Sequence, residues 1–393
     1  MAKTYFGRIK LRDSSRKFSR FGVFEEFDGK ELICFEALDS TEGELIMYLE
    51  RTPFNEHLVN EQVSVGDIVQ VSGEEKKYGD KQVFLVGGVK ILGKCESGMK
   101  SDIFELSDKV IEIATAKSMV LQRIREEFGK KGFIEINSST LLPFYEGGFS
   151  PPFITKDVKG RELYLRQTSE LVLRRLVAAG LTKVYEIGKS YRNIEAGATF
   201  SNEFTVVESV FAYGSLGDGM AFAEDTFRLM LDAFKSSPHA SRIVQTDWPK
   251  VRFIDEYKKI FGEEYRASTD YQKSKKDLRG ILENLEGPCF LVGIPIPLSP
   301  INKIEGPVLS EAYFLIDGQI FGDIPEFEIN PDSLEERLKM QVGLTGGQIN
   351  RHFLKLVREG MPPGVGLGFG VDRWVGLILN KPVNEIINIG GII

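Results

Sequence analysis

Two apolar runs, residues 184–193 and 202–208, joined by a polar loop containing Gly197, constrain this chain more than any other feature. Such runs, rich in β-branched and aromatic residues and separated by turn-forming residues, read as paired strands. Arg192 stands at the end of the first run, and Glu203 and Glu208 lie along the second. A guanidinium fixed on a strand can fork two N–H groups onto a phosphate or carboxylate, which a flexible lysine does less well. Far downstream, residues 364–373 read Gly-Val-Gly-Leu-Gly-Phe-Gly-Val-Asp-Arg, a glycine-spaced apolar run ending in Asp372-Arg373. Alone, either pattern also fits a bland role. A strand-end arginine is commonly a surface ion-pair partner, and a glycine-rich run commonly packs against a helix.

Bulk properties narrow the field. The chain has 393 residues, long enough for two or three domains, and its 42% hydrophobic and 27% charged content is ordinary for a globular protein. Cys34, Cys95 and Cys289 are scattered and odd in number, which argues against a disulfide framework or a cysteine metal cluster and fits a reducing cytoplasm. No apolar run approaches the length that spans a bilayer, and no signal-peptide core is present, so the expectation is a cytoplasmic protein with no membrane partner. A net charge of −7 disfavours indiscriminate nucleic-acid binding but leaves room for a local basic face.

That face is N-terminal. Arg8, Lys10, Arg12, Arg16, Lys17 and Arg20 are interleaved with Phe18 and Phe21. Around them, residues 5–11, 21–27, 32–37, 68–72 and 82–86 read as short strands, with Asp28-Gly29 and Gly79-Asp80 as turns and a broader connection near 52–65. Five such strands suit an OB-fold β-barrel, a fold that stacks bases on aromatic platforms and holds phosphates at basic edges. Arg20 and Phe21 are the candidate nucleic-acid contacts. The alternative stays open: Phe21, Phe24 and Phe35 as barrel core, with the basic cluster a solvated edge.

Composition shifts after a small, polar stretch at 93–101, which places a boundary between an N-terminal domain, 1–96, and a larger α+β domain, 97–393. In the second, helical periodicity appears over 109–130, 170–179 (closed by Gly180), 220–235, 270–285 and 332–341. Strand patterns appear at 132–136, 289–294 and 312–316. No internal repeat or low-complexity segment interrupts this order.

The two runs of the opening paragraph resemble motifs 2 and 3 of the class II aminoacyl-tRNA synthetases. Further strings resemble the lysine, aspartate and asparagine subgroup, lysyl-tRNA synthetases most of all: residues 147–155 (Gly-Gly-Phe-Ser-Pro-Pro-Phe-Ile-Thr), 163–171 (Leu-Tyr-Leu-Arg-Gln-Thr-Ser-Glu-Leu), Ser299-Pro300, and Gly360-Met361-Pro362-Pro363. The agreement runs in order along nearly the whole chain. The resemblance implies an OB-fold β-barrel followed by an antiparallel-sheet catalytic domain, with ATP, an amino acid and tRNA as partners and a homodimer as the assembly. It implies Arg192 and Arg373 as catalytic groups, the first bridging the amino-acid carboxylate and the α-phosphate, the second holding the γ-phosphate. Phe204 would stack adenine, and Glu195, Gly368 and Gly370 would complete the ATP site. Gly148, Glu170, Glu208 and Asp323 would line the amino-acid pocket, Glu170 receiving the α-ammonium.

The chain also departs from that pattern. Two glutamates that hold Mg²⁺ in the family fall on Tyr313 and Ile320, neither of which offers the carboxylate oxygens a hard cation needs. Mg²⁺ is thus implied as a companion of ATP while its expected ligands are missing, and the metal ligands are unknown. The motif 2 glutamate is displaced from Ile194 to Glu195, the motif 1 proline is Ser139, and the tyrosine beside a lysine ammonium is Val210. An acidic pocket member falls on Glu326 or Glu328, with Asp323 close by. The expected function is ATP-dependent amino-acid activation through an aminoacyl-adenylate and transfer to tRNA. The alternatives are a paralogue serving a non-tRNA acceptor and a catalytically weak regulatory homologue.

Overall fold

The computed structural model describes residues 3–10, 23–27, 30–39, 43–50, 52, 55, 67–78, 81–94, 102–146, 150–195, 197, 201–345 and 349–387. Arg20, Phe21 and Gly148 lie outside the described residues. The chain divides into two compact units, Met1–Val110 and Ile111–Ile393.

Among the described residues the first unit holds six strands, β1 (Lys3–Lys10), β2 (Val23–Phe27), β3 (Lys30–Asp39), β4 (Gly43–Glu50), β5 (Ile68–Tyr78) and β6 (Lys81–Gly93). They form one sheet in the order β1-β5-β6-β4-β3-β2, and β1 also pairs with β3, so the hydrogen-bonded path from β1 returns to it. The five-strand reading of the sequence misses β4. On β5, Val69 and Val71 are buried while Ile68 and Ser72 are exposed, the two-residue period of a strand with one covered face, whereas on β4 Met47, Tyr48 and Leu49 are all buried.

The second unit is α+β. Its strands are β7 (Ile134–Glu135), β8 (Leu141–Leu142), β9 (Ile154–Lys156), β10 (Glu162–Leu165), β11 (Lys183–Tyr191), β12 (Glu203–Ala212), β13 (Lys250–Arg252), β14 (Pro288–Pro295), β15 (Ile304–Glu305), β16 (Val308–Ile316), β17 (Gln319–Pro325) and β18 (Gly364–Gly370). β8, β10 and β9 form a small sheet. The main sheet runs β13-β14-β16-β17-β18-β12-β11-β7, with β15 attached to β16. Its centre, β14 to β11, is antiparallel throughout, while the edge strands β13 and β7 add in parallel.

The two faces of this sheet differ because β18 alternates. Val365, Leu367 and Phe369 point into the principal core with Val207 and Phe211 of β12 and Phe314 of β16. That core is covered by the helices Asp102–Lys130, Leu216–Asp232 and Val371–Leu379, through Ile124 and Phe128, Phe227 and Met230, and Trp374 and Val375 respectively. The helix Leu216–Asp232 starts at Ser215, whose hydroxyl and the Asp218 carboxylate cap one another's backbone N–H groups. On the opposite face the glycines leave the sheet bare. A methyl group at Gly364 would lie 2.5 Å from the Phe211 carbonyl, and one at Gly366 would lie 3.0 Å from the Ser209 carbonyl. At Gly370 the nearest atom would be the Arg373 Cβ at 4.0 Å, an ordinary contact. The helices Glu170–Ala178 and Arg351–Gly360 cover one end of this second face over Val210 and Phe327. The first of them ends as its sequence predicts, with Gly180 at a φ of +111°, a conformation costly for any residue with a Cβ. Between these covers the sheet opens into a cleft. No helix among the described residues is long and apolar enough to cross a membrane.

Candidate active site

The cleft has a volume of about 490 Å³ and its floor is the bare face of β17, β18 and β12. Cross-strand register sets its central row. Tyr313 pairs with Asp323, Asp323 with Gly368, Gly368 with Glu208, and Glu208 with Glu186. Side chains paired in this way share a face. Gly368 therefore leaves a gap between two carboxylates, and a methyl group there would come within 2.9 Å of an Asp323 carboxylate oxygen.

Two guanidiniums lie over this floor. Arg192 follows β11 directly, where its backbone N–H donates to the Asn202 carbonyl at 2.8 Å across the hairpin. Its guanidinium carbon stands 5.2 Å from the centre of the Phe204 ring. Arg373 lies in the first turn of Val371–Leu379 and donates to the Ile320 carbonyl. Neighbouring groups fix that turn. Asp372 accepts from the Thr205 backbone N–H at 2.6 Å and from Lys117, and the Trp374 indole donates to the Phe321 carbonyl at 3.1 Å. Burial and then the charge of Arg192 lower the pKa of Arg373. Two cations crowded this way destabilise each other until an anion joins them.

Carboxylates fill the other end. Glu208 accepts from the Thr168 hydroxyl at 2.7 Å, the Ser169 hydroxyl at 2.6 Å and the Ser169 backbone N–H. Burial nevertheless raises its pKa, against the pull of these donors. Glu170 accepts from Arg174 at 2.5 Å, and Arg174 is wholly buried, stacked 3.8 Å above Phe327. The Asp323 side chain is exposed to the cleft, and desolvation by the cleft walls first, then Glu170 and Glu208, push its pKa up to about 7. Glu311, two residues before Tyr313 on β16, is 3% exposed, with one oxygen lacking any partner, and burial beside Asp323 pushes it to about 8. Glu146, a cleft residue the sequence reading passed over, is 6% exposed and is pushed to about 7 by burial and Glu208.

Of the residues expected from sequence, Glu170, Arg192, Phe204, Glu208, Asp323, Gly368, Gly370 and Arg373 all line this one cleft. Glu195 does not; it is exposed on the hairpin loop. Of the three acidic candidates, Asp323 alone lines the cleft. Glu326 pairs with Lys303 at 2.6 Å, and Glu328 with Arg337 at 2.7 Å, both away from the cleft lining.

The full length of this arrangement matches one family. Residues 100–388 fit the tRNA synthetases class II (D, K and N). The chain belongs to that family. Its curated relatives include proteins named lysine–tRNA ligase from Chloroflexus aurantiacus (26% identical, covering 90% of this chain and 84% of the relative), Syntrophomonas wolfei (25%; 96% and 90%) and Thermosipho africanus (28%; 82% and 74%). Each is a protein that this chain resembles at about a quarter identity.

The metal seats of the family do not fit. Tyr313 and Ile320 pack against the apolar cluster of Leu309, Leu315 and Leu291, and among the described residues no three His, Cys, Asp or Glu side chains gather to hold an ion. Hard cations need oxygen donors that this pair of positions does not offer.

The raised carboxylates have a consequence for stability. Glu311 holds a proton in the folded chain up to about pH 8, whereas the unfolded chain releases it near pH 4.5. The unfolded state is therefore favoured progressively as pH rises between those values. Glu311→Gln removes the cost, and at pH 8 it is expected to stabilise the fold by about 4 kcal/mol. Thermal melts should show a gain of a few degrees at pH 8 and almost none at pH 5. An equal gain at both pH values would mean that the glutamate is not protonated in the folded chain.

Proposed function

We propose that this chain activates an amino acid with ATP and passes the acyl group to tRNA, as the names of its lysine–tRNA ligase relatives describe for them. The observation that carries the reading is the meeting of Arg192 and Arg373 over one open floor, close enough for the charge of one to bear on the other. Phe204 gives that floor an aromatic face for adenine. In the first step the amino-acid carboxylate attacks the α-phosphorus, and the bond to the bridging oxygen breaks to release pyrophosphate. Arg192 answers the charge that builds on the α-phosphoryl oxygens, and Arg373 holds the departing end. In the second, a 3′ hydroxyl of tRNA attacks the acyl carbon and AMP leaves. No step is assigned to a protein-bound metal.

An N-terminal OB-fold over residues 1–96 and a catalytic domain over 97–393 belong to this proposal. They are supported by the β1–β3 pairing, which brings the strand path back to its start, and by the family match beginning at residue 100. Arg20 and Phe21 as tRNA contacts, a homodimer and a cytoplasmic location complete it. A second reading, transfer to a non-tRNA acceptor or loss of catalysis in favour of regulation, draws on Tyr313, Ile320 and Val210, which replace the family's metal and ammonium contacts.

The test is ATP–pyrophosphate exchange with each of the twenty amino acids, with and without bulk tRNA, followed by an assay for acyl-tRNA. Exchange plus charged tRNA is the expected result. Exchange without transfer selects the other acceptor, and silence with every substrate removes the activation chemistry altogether.

A further inference from the structure

A second pocket, of about 550 Å³, lies beside the cleft and shares only Asn350 with it. That volume is in the range of small-molecule sites. Phe144 and Tyr145 enter it from the segment after β8, Tyr164 from β10, and Arg351 and His352 from the first turn of the helix Arg351–Gly360. Its rings come in two pairs. The Phe144 and His352 centroids are 5.0 Å apart, and those of Tyr145 and Tyr164 are 6.2 Å apart. Phe144, Tyr145 and Tyr164 are only half-buried, and they belong neither to the principal core nor to the cluster over Val210 and Phe327. Aromatic side chains ordinarily earn their place in a core; three that turn ring surface to one open pocket suit a flat partner. The Tyr164 hydroxyl donates to Glu162 at 3.2 Å, and the Asn350 side-chain amide donates to the Glu146 carbonyl at 3.1 Å, which fixes the walls at both ends.

Arg351 adds charge to this surface. It is exposed, and among the described residues no carboxylate pairs with it. The first turn of its helix carries no acidic residue, and a cation there opposes the helix dipole. Arg358, in the last turn of the same helix, is placed the other way: the dipole favours it, and it meets Glu335 at 2.6 Å. An unopposed guanidinium gains most from an anion, and its planar fork matches phosphate. A flat π-system and a phosphate together describe a nucleotide.

We propose that this pocket seats one nucleotide, its base against the rings of Phe144, Tyr145 and Tyr164 and its phosphate on Arg351. Every base has a π-face, so the seat selects nucleotides without selecting strongly among them. One arginine answers one phosphate, which sets the pocket apart from a cleft with two. A free mononucleotide and the end of an RNA chain present the same chemistry here, and they differ in whether neighbouring phosphates add to binding. The segment that carries Phe144 and Tyr145 into the pocket continues directly to Glu146 in the cleft, so a bound nucleotide rests against the wall the two sites share. The seat requires nothing of the chemistry assigned to the cleft.

Calorimetry of the full chain with cytidine 5′-monophosphate, cytidine and a single-stranded RNA heptamer tests this directly. The monophosphate should bind the parent at least about ten-fold more tightly than cytidine, the usual worth of a charge-assisted contact. Arg351→Ala should erase that difference and melt no lower than the parent, because the side chain is exposed and unpaired. Phe144→Leu keeps an apolar side chain without an aromatic face and should weaken both ligands by about ten-fold, while Phe144→Trp should restore them. Restoration by tryptophan is what a packing role alone would not give. Heptamer binding that depends on the same residues, and exceeds that of the monophosphate by more than about ten-fold, upholds the seat with an RNA end as its occupant; equal affinities uphold it with a free mononucleotide. Monophosphate affinity unchanged in Arg351→Ala and Phe144→Leu overturns the proposal. So does failure of both the monophosphate and the heptamer to bind the parent at millimolar concentration. An equal loss of monophosphate affinity in Arg192→Ala would place the ligand in the cleft and overturn it as well. ATP–pyrophosphate exchange reads the cleft alone, so its failure would remove the activation reading and leave this seat standing.

Discussion

Arg192→Ala is expected to reduce ATP–pyrophosphate exchange by roughly 10²–10³-fold, the scale at which preplaced charge acts on a transition state, while leaving the melting temperature where it was. The separation of the two effects follows from the local structure. The Arg192 guanidinium is exposed in the cleft, with the Phe204 face beside it, and the hairpin is tied by the residue's backbone N–H rather than by its side chain. Truncation therefore orphans no buried group. In the proposed reaction, what it removes is the cation that would meet negative charge as the carboxylate closes on the α-phosphorus. Arg192→Lys restores charge but not the two-pronged donor, so recovery should be partial. Exchange within about three-fold of the parent at saturating amino acid, in a variant that melts normally, would place the chemistry elsewhere in the molecule.

The parts of the site that sequence made legible are those in which a local period and a chemical requirement coincide. The β11–β12 hairpin announces itself as two apolar, β-branched and aromatic runs about a polar loop, and the alternation of glycine with Val365, Leu367 and Phe369 in β18 already implies one packed face and one bare one. The cleft residues on these strands follow, because a strand that is right in register carries its side chains to the correct face. The rest depended on contacts between distant segments. Glu170 and Arg174 are four apart on a helix, a spacing that usually means a solvated pair. Here Phe327 and Phe353, more than 150 positions downstream, enclose the arginine and turn that pair inward. Glu146 follows a two-residue strand and shows no periodicity; only the surrounding cleft makes it conspicuous. β4 was legible and was missed: Gly43–Glu50 has the composition of a strand, and the turn formers Asp39-Ser40-Thr41-Glu42-Gly43 set it apart from β3.

Arg166→Ala should produce the largest loss of stability, about 3–5 kcal/mol, because it breaks a buried ion pair from one side. Arg166 and Glu186 have side chains only 2% exposed and meet at 2.7 Å. The guanidinium also donates to the Ser138 hydroxyl at 2.9 Å and to the Lys189 carbonyl at 2.8 Å, and Ser138 donates its hydroxyl to Glu186 at 2.7 Å. Space for the arginine comes from Gly188, where a methyl group would stand 2.0 Å from Nη2. Removing the guanidinium leaves Glu186 ionised or protonated in a site that has lost its counter-charge, and that penalty exceeds the worth of the pair itself. A double replacement, Arg166→Met with Glu186→Leu, should therefore recover most of the loss in urea unfolding even though it restores no ionic contact. Exchange should not recover with it. The Arg166 carbonyl accepts from the Tyr191 backbone N–H at 3.0 Å, and the Arg166 N–H donates to the Thr140 carbonyl at 2.9 Å, so the network braces the residue immediately before Arg192. A double variant that regains stability but positions Arg192 loosely should retain ATP binding and lose turnover, a split between KM and kcat. If Arg166→Ala instead unfolds within about 1 kcal/mol of the parent, the pair is not the anchor of the hairpin, and the placement of Arg192 must come from the Asn202 contact across the hairpin alone.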